Sequence, residues 1–228
     1  MILRYCIRTC PQRKDVFEKL FTQLRNHLPK NIEIDVVNDD IGRSAIVVFG
    51  RYIKNLLESN VEFDYLVALE DDALINDYLH ENISTWDALA YDNFGLAHLA
   101  TPSILYFLRV NQTDFDKESC EYLRRSRLHY SAGQIFSKSF LSNLNIDEML
   151  SRSGKGYDIY ISENCLNLGF DFYLHYPSLV ASKPITSSLG NDHYVPLDDA
   201  FSKSWKRGLK DESFFKMKDL ERLYKTRL

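Results

Sequence analysis

The sequence predicts an α/β domain built on a doubly wound, mostly parallel sheet, and three observations carry that expectation. Three strand-then-helix steps follow one another in roughly the first seventy residues, the alternation that builds a parallel sheet with helical crossovers. The third apolar run, Tyr65-Leu66-Val67-Ala68-Leu69, stops abruptly at Glu70-Asp71-Asp72, and such sheets offer their ligand crevice just beyond the carboxyl ends of their strands. The 228 residues are 45% apolar and 26% charged, enough for one sizeable core, and no composition break divides it.

Ile2 opens the first strand-like run, which reaches Ile7, and Arg8-Thr9-Cys10-Pro11-Gln12-Arg13 reads as the loop leaving its carboxyl end. Phe17, Leu20, Phe21, Leu24 and Leu28 recur at helical spacing, and Pro29 closes that helix. Alternation over 32–37 gives a second strand ending in Asn38-Asp39-Asp40. Gly42 turns the chain, Ser44 is placed to cap, and Val48, Tyr52, Ile53, Leu56 and Leu57 mark the next helix. Beyond the acidic triplet, 77–89 reads as a short helix, 94–99 and 104–110 as strands, and 111–127 as a polar excursion. In His129-Tyr130-Ser131-Ala132-Gly133-Gln134, the small Ala132 and Gly133 precede a strand-like run and leave room for backbone to approach a ligand. A helical pattern follows over 139–150. Gly154 and Gly156 then lead to a further helix with Asp158 near its start, and 170–175 is a late strand. Near the end, Phe214, Met217, Leu220 and Leu223 fall at helical spacing, so a helix is expected there. The economical division is a domain over 1–200 and a basic C-terminal helical extension over 201–228.

Composition excludes several classes. Cys6, Cys10, Cys120 and Cys165 form neither a CxxC pair nor a zinc spacing, and read as reduced thiols. Neither a signal peptide nor a membrane-spanning run is evident, so a soluble cytoplasmic protein is expected. No Gly-x-Gly-x-x-Gly turn follows the first strand and no Walker phosphate loop occurs, which argues against a dinucleotide dehydrogenase and a phosphate-loop NTPase. Fourteen Tyr and fourteen Phe supply surfaces for stacking on bases or sugars, although most belong to the core. Net charge is −4, yet 203–228 carries nine Lys or Arg against four Asp or Glu, which leaves −9 on the rest.

The acidic triplet is the chemical centre of this reading. If strand geometry persists past Leu69, Glu70 and Asp72 share one face and Asp71 points away. Adjacent carboxylates repel unless a cation joins them, and a hard divalent ion takes oxygen ligands and completes its shell with substrate phosphates. Arg8, Thr9 and Arg13 stand at the same edge, where guanidinium groups grip a diphosphate.

In that order, Arg8 and Arg13, then Leu69-Glu70-Asp71-Asp72-Ala73, then the Gly-x-Asp helix followed by Phe172-Tyr173-Leu174-His175-Tyr176-Pro177-Ser178-Leu179-Val180, the chain resembles the GT-A class of nucleotide-sugar-dependent glycosyltransferases. The likeness is to small bacterial and phage members and to the lipopolysaccharide-type galactosyltransferases, and it covers most of 1–195. It implies a Rossmann-like GT-A fold, and it makes Glu70-Asp71-Asp72 the counterpart of the DxD motif, with Glu replacing the first Asp. Asp72 would then bind Mn²⁺ or Mg²⁺ bridging the phosphates of a UDP-sugar, with Glu70 or Asp71 on the ribose or the ion's water shell. Arg8, Thr9, Arg13 and Asp39 or Asp40 fall where the class contacts the nucleotide. Asp158 falls where inverting members keep a general base, which an alcohol acceptor needs at neutral pH; Glu163, five residues on, faces elsewhere on the helix. Relatives often carry a metal-binding His where this chain has Ser182, and His193 is the substitute ligand.

Two acceptor classes are open: a glycan or lipid-linked saccharide, and a hydroxymethylated pyrimidine in DNA. The second is suggested by Arg124, Arg125 and Arg127 and by the basic stretch that opens at Lys203 and closes at Arg227, with Trp205, Lys206, Arg207, Lys210, Lys216 and Lys218 within it. The same basic stretch suits an anionic membrane. The alternatives are a metal-dependent nuclease or phosphatase drawing also on Asp39, Asp158 and His193, and a nucleotide- or nucleic-acid-binding module without catalysis.

Overall fold

The computed structural model describes residues 1–40, 44–100, 132–152, 157–182, 201–207 and 213–216. The expected strand at 104–110, the excursion at 111–127, Gly154, Gly156 and most of the tail lie outside the described residues.

The strands are β1 (Leu3–Thr9), β2 (Ile34–Asn38), β3 (Tyr65–Glu70), β4 (Ala73–Ile75), β5 (Phe94–His98), β6 (Gly133–Ser137), β7 (Asp171–Tyr176), β8 (Val180–Ser182) and β9 (Ser213–Lys216). The helices are α1 (Lys14–His27), α2 (Ala45–Glu58), α3 (Leu79–Ser84), α4 (Lys138–Asn143), α5 (Ile146–Ser151) and α6 (Tyr157–Asn167). Short 3₁₀ turns at Pro11–Arg13 and Asp87–Ala90 complete the described elements. Seven strands form one mixed sheet in the order β2-β1-β3-β6-β5-β7-β9, and β4 pairs with β8 in a separate ribbon. β2, β1, β3, β5 and β7 run one way, while β6 and β9 run against them. The predicted α/β architecture is therefore present, with antiparallel insertions in place of a purely wound sheet.

Side-chain alternation sorts the core into two layers. Leu3, Tyr5 and Ile7 of β1 join Val67 and Leu69 of β3 under Leu20 and Leu24 of α1. Their neighbours Cys6, Leu66 and Ala68 face the other way, against Ile46, Phe49 and Ile53 of α2 and Tyr157, Tyr160 and Ile161 of α6. Helices thus cover both faces, and the buried runs of β1 and β3 explain why these strands read as near-continuous apolar sequence.

One expectation at the chain's end changes. Ser213–Lys216 is a strand antiparallel to β7, so at Phe214 sheet pairing overrides the helical spacing, while Met217, Leu220 and Leu223 lie outside the described residues. Residues 201–207 are stitched to the body. The buried Asn76 carboxamide donates to the Ser202 and Trp205 carbonyls at 2.6 and 3.0 Å, Asn82 donates to the Trp205 carbonyl at 3.0 Å, and Asp77 N–H donates to the Lys203 carbonyl at 2.8 Å. The Trp205 ring is buried and meets His175 edge-on at 5.4 Å. Lys206 and Arg207 pair with Glu81 and Asp87 on the same body. No helix among the described residues is long and apolar enough to cross a membrane.

This packing makes Trp205 a structural residue. Trp205→Ala should lower stability by about 3 kcal/mol, as for other large aromatics removed from cores, measured by urea denaturation; a loss within the range of surface substitutions would show that 201–207 only rests on the domain.

Candidate active site

The carboxyl ends of β1, β2, β3 and β5, with the start of the antiparallel β6, converge on one edge of the sheet. The parallel register of β1 with β3 sets Arg8 beside Glu70. Both side chains belong to the α2 and α6 face, where Arg8 Nη2 donates to Glu70 Oε1 at 3.3 Å. Thr9, one residue on, falls on the opposite face, and its hydroxyl donates to Asp71 Oδ2 at 2.8 Å. The Asp71 N–H donates to the Arg8 carbonyl at 3.1 Å, which extends the β1–β3 pairing by one bond.

Here the chain departs from the expected alternation. β3 ends at Glu70, and Asp71-Asp72 form a turn into β4. The strand geometry that would have aligned Asp72 with Glu70 does not persist, and Asp71 and Asp72 stand together on Arg13, whose Nη1 donates to Asp71 Oδ1 at 2.6 Å and to Asp72 Oδ2 at 3.2 Å. A turn lets one guanidinium reach both carboxylates, which a continued strand would have separated. Arg8 and Arg13, expected to face a diphosphate, are engaged by the acids.

Asp71 and Asp72 are 2% and 7% exposed, so their charge is held in a poorly solvated turn. Three of their four oxygens accept the bonds just named, and Asp72 Oδ1 is buried without a hydrogen-bond partner among the described residues. Burial first, then the Glu70 charge, push the Asp72 carboxyl from 3.8 up to about 6, and Arg13 only partly opposes them. On the other face, burial works against the Arg8 cation, but Tyr157, Glu70 and Asp158 outweigh it and raise its pKa.

Asp158 lies in the first turn of α6, beside Tyr157, whose ring carries the Arg8 guanidinium at 4.4 Å. The Tyr157 hydroxyl donates to Gln134 Oε1 at 2.9 Å, and Gln134 Nε2 is 3.3 Å from His98 Nε2. Gln134, His98 and Tyr157 were not singled out from sequence. Their signal was a polar residue at the site end of each of two apolar strands, since His98 closes β5 and Gln134 pairs with it in β6.

Asp39 and Asp40 follow β2. Asp39 N–H donates to the Thr9 carbonyl at 2.9 Å, and Asp40 accepts from the Asn38 amide at 2.5 Å. They flank the acidic turn. Ala132 and Gly133 also differ from expectation: a Cβ on Gly133 would lie 2.8 Å from Val180 Cγ2, so the chain's own β8 takes the space foreseen for a ligand. His193, Arg124, Arg125 and Arg127 lie outside the described residues.

No group of three His, Cys, Asp or Glu side chains able to hold a metal ion occurs among the described residues. Asp72 with its unpartnered oxygen, beside Glu70, nevertheless fits an ion that takes few protein ligands and completes its shell with water and substrate phosphate.

No protein-family model matches this chain, and the search of curated proteins finds no match. Solved structures similar to it include the galactosyltransferase LgtC in complex with donor and acceptor sugar analogues, at 12% identity over 73% of this chain and 70% of that one, with a TM-score of 0.42. The bifunctional glycosyltransferase WbbM in its apo form is similar at 13% identity over 72% of this chain and 37% of that one, with a TM-score of 0.43. A glycosyltransferase involved in the glycosylation of the major capsid of PBCV-1 is similar at 9% identity over 62% of each chain, with a TM-score of 0.35. At these values the likeness assigns no residue a role.

The raised Asp72 pKa fixes a sign for stability. The folded state prefers protonated Asp72, so this group costs nothing at low pH, and its cost grows as pH rises from the ordinary carboxylate range through about 6. Above that it amounts to roughly 3 kcal/mol. In metal-free buffer, Asp72→Asn should therefore gain on the parent at about pH 7 and lose that gain at about pH 4, read by urea denaturation. An equal difference at the two pH values would show that Asp72 is not held out of its ordinary range.

Proposed function

We propose that the protein is a glycosyltransferase that moves a sugar from a nucleotide-diphosphate donor, a UDP-sugar in the first instance, to a hydroxyl acceptor. The observation that carries this reading is the buried, under-compensated Asp71-Asp72 turn at the carboxyl edge of the sheet, with Asp72 Oδ1 unpartnered among the described residues and Asp158 in the first turn of the helix whose Tyr157 meets Arg8. The order of motifs in the sequence supports it. Mn²⁺ or Mg²⁺ bound there would stabilise the negative charge that gathers on the leaving diphosphate as the glycosidic bond breaks.

Each residue then has a task. Asp72 presents the carboxylate oxygen to the cation, and Arg13 together with Thr9 fixes the turn so that this oxygen is not free to rotate away. Asp39 and Asp40 border the crevice at the neighbouring strand end, where nucleoside hydroxyls need acceptors. Asp158 accepts the proton of the acceptor hydroxyl as the new bond forms. The acceptor, a glycan or a hydroxymethylated pyrimidine in DNA, meets the protein outside the acidic turn.

Calorimetry with UDP- and GDP-sugars in Mn²⁺ or Mg²⁺, followed by an assay for released nucleoside diphosphate, tests this. Asp72→Ala should abolish metal-dependent donor binding. Asp158→Asn should bind donor nearly as the parent does and lose transfer by about a hundredfold or more, the range expected on removing a general base. No binding by the parent with either metal would overturn the proposal, and full transfer by Asp158→Asn would overturn the base assignment.

A further inference from the structure

We propose that Arg8 is a positioning residue: its buried guanidinium joins Glu70 at the end of β3 to the start of α6, and so sets Asp158 relative to the acidic turn. The role of Asp158 in this statement rests on the glycosyltransferase reading; the mechanical link does not.

Four observations carry it. The Arg8 side chain is only 11% exposed, so it offers little surface to an anion arriving from solvent. It donates to Glu70 at 3.3 Å, and β1–β3 register holds the two side by side. Its guanidinium lies 4.4 Å from the centre of the Tyr157 ring and 5.6 Å from that of Phe49, cation–π contacts that the delocalised cation makes while it also donates to Glu70. The Tyr157 ring is itself fixed, since its hydroxyl donates to Gln134, which meets His98 across the β5–β6 pair.

The chain of contacts therefore runs from β5 through β6 to the first residue of α6, and through Arg8 to β3. The charged or titratable groups acting on Arg8 include, among the described residues, Glu70 on β3, Tyr157 and Asp158 on α6, and Cys6 on its own strand. Asp158 is the next residue after Tyr157, so holding the Tyr157 ring holds the backbone that carries the proposed base. Arg8 thereby adds a second tie between β3 and the start of α6, beside the Tyr157 bond to Gln134 on β6, which itself pairs with β3. Arg13 does a different task, because it contacts the turn itself.

The test separates positioning from phosphate binding. In Arg8→Gln and Arg8→Lys, kcat should fall about tenfold or more while the donor KM stays within about threefold, the pattern of a lost transition-state arrangement; Arg8→Lys, which keeps the charge, covers the case in which Arg8→Gln does not fold. Tyr157→Phe, which keeps the ring and removes the bond to Gln134, should show the same split more weakly. A raised donor KM at unchanged kcat would overturn the proposal, since Arg8 would then contact the donor.

A second arm does not depend on activity. Urea midpoints are measured for Arg8→Lys, Asp158→Asn and the double variant, and the combined loss should be smaller than the two single losses together. Strict additivity would overturn the link between Arg8 and the start of α6. If the parent binds no nucleotide-sugar, the functional reading fails, and this cycle still decides whether Arg8 is coupled to Asp158.

Discussion

The neutralisation of three consecutive carboxylates at the edge of a buried sheet is the constraint on which the rest of this site depends. Glu70, Asp71 and Asp72 are adjacent in sequence, and the last two are nearly out of solvent. Buried like charges at such spacing require cations within reach. One short length of chain supplies them from two directions: Arg8 ends on the α2 and α6 face of β1, and Arg13 returns on the other face from the 3₁₀ turn before α1. The β1–β3 register is therefore an electrostatic matter as well as a packing one. A slip of one residue would set Thr9 rather than Arg8 beside Glu70 and exchange the two faces of the strand.

The same turn is anchored at its far end. From Asp72 the chain passes through β4 to Asn76, whose carboxamide holds the carbonyls of Ser202 and Trp205. The acidic turn thus sits between an arginine-bound strand edge and a tail folded back onto the domain. That arrangement explains how a poorly compensated group persists. Asp72 Oδ1 has no partner among the described residues, yet relaxing the turn to solvate it would disturb Arg13 on one side and the Asn76 network on the other. Local rules broken within an otherwise consistent structure are expected at functional sites.

Much of this was legible in the sequence because the signals were local. The apolar run ending at Leu69 and the helical spacing from Phe17 to Leu28 each follow from periodicity. The placement of Arg8, Thr9 and Arg13 at the edge that carries the acids followed from their shared position at strand ends. What escaped was tertiary. Alternation alone placed Asp72 with Glu70, since nothing local announces that β3 stops at Glu70. His98, Gln134 and Tyr157 belong to three elements, and only the antiparallel insertion of β6 between β3 and β5 brings them together. At the chain's end, Phe214 pairs with β7 within β9 instead of opening a helix, while Met217, Leu220 and Leu223 lie outside the described residues.

The sign of the cluster constrains how the proposed donor is met. With Asp72 ionised, the three acids carry −3 and Arg8 and Arg13 return +2, and Asp158 near Arg8 adds a further negative charge. A site with net negative charge repels a bare diphosphate, and in a poorly solvated turn the repulsion is stronger than in water. Both arginines already serve carboxylates, Arg8 Nη2 on Glu70 and Arg13 Nη1 on Asp71 and Asp72. A cation shared between Asp72 and the phosphates resolves the conflict without moving either arginine, and it would draw Asp72 back toward its ordinary ionisation. Under the proposed function, then, Arg8 and Arg13 hold the acids, and the acids, through a cation, would hold the phosphate.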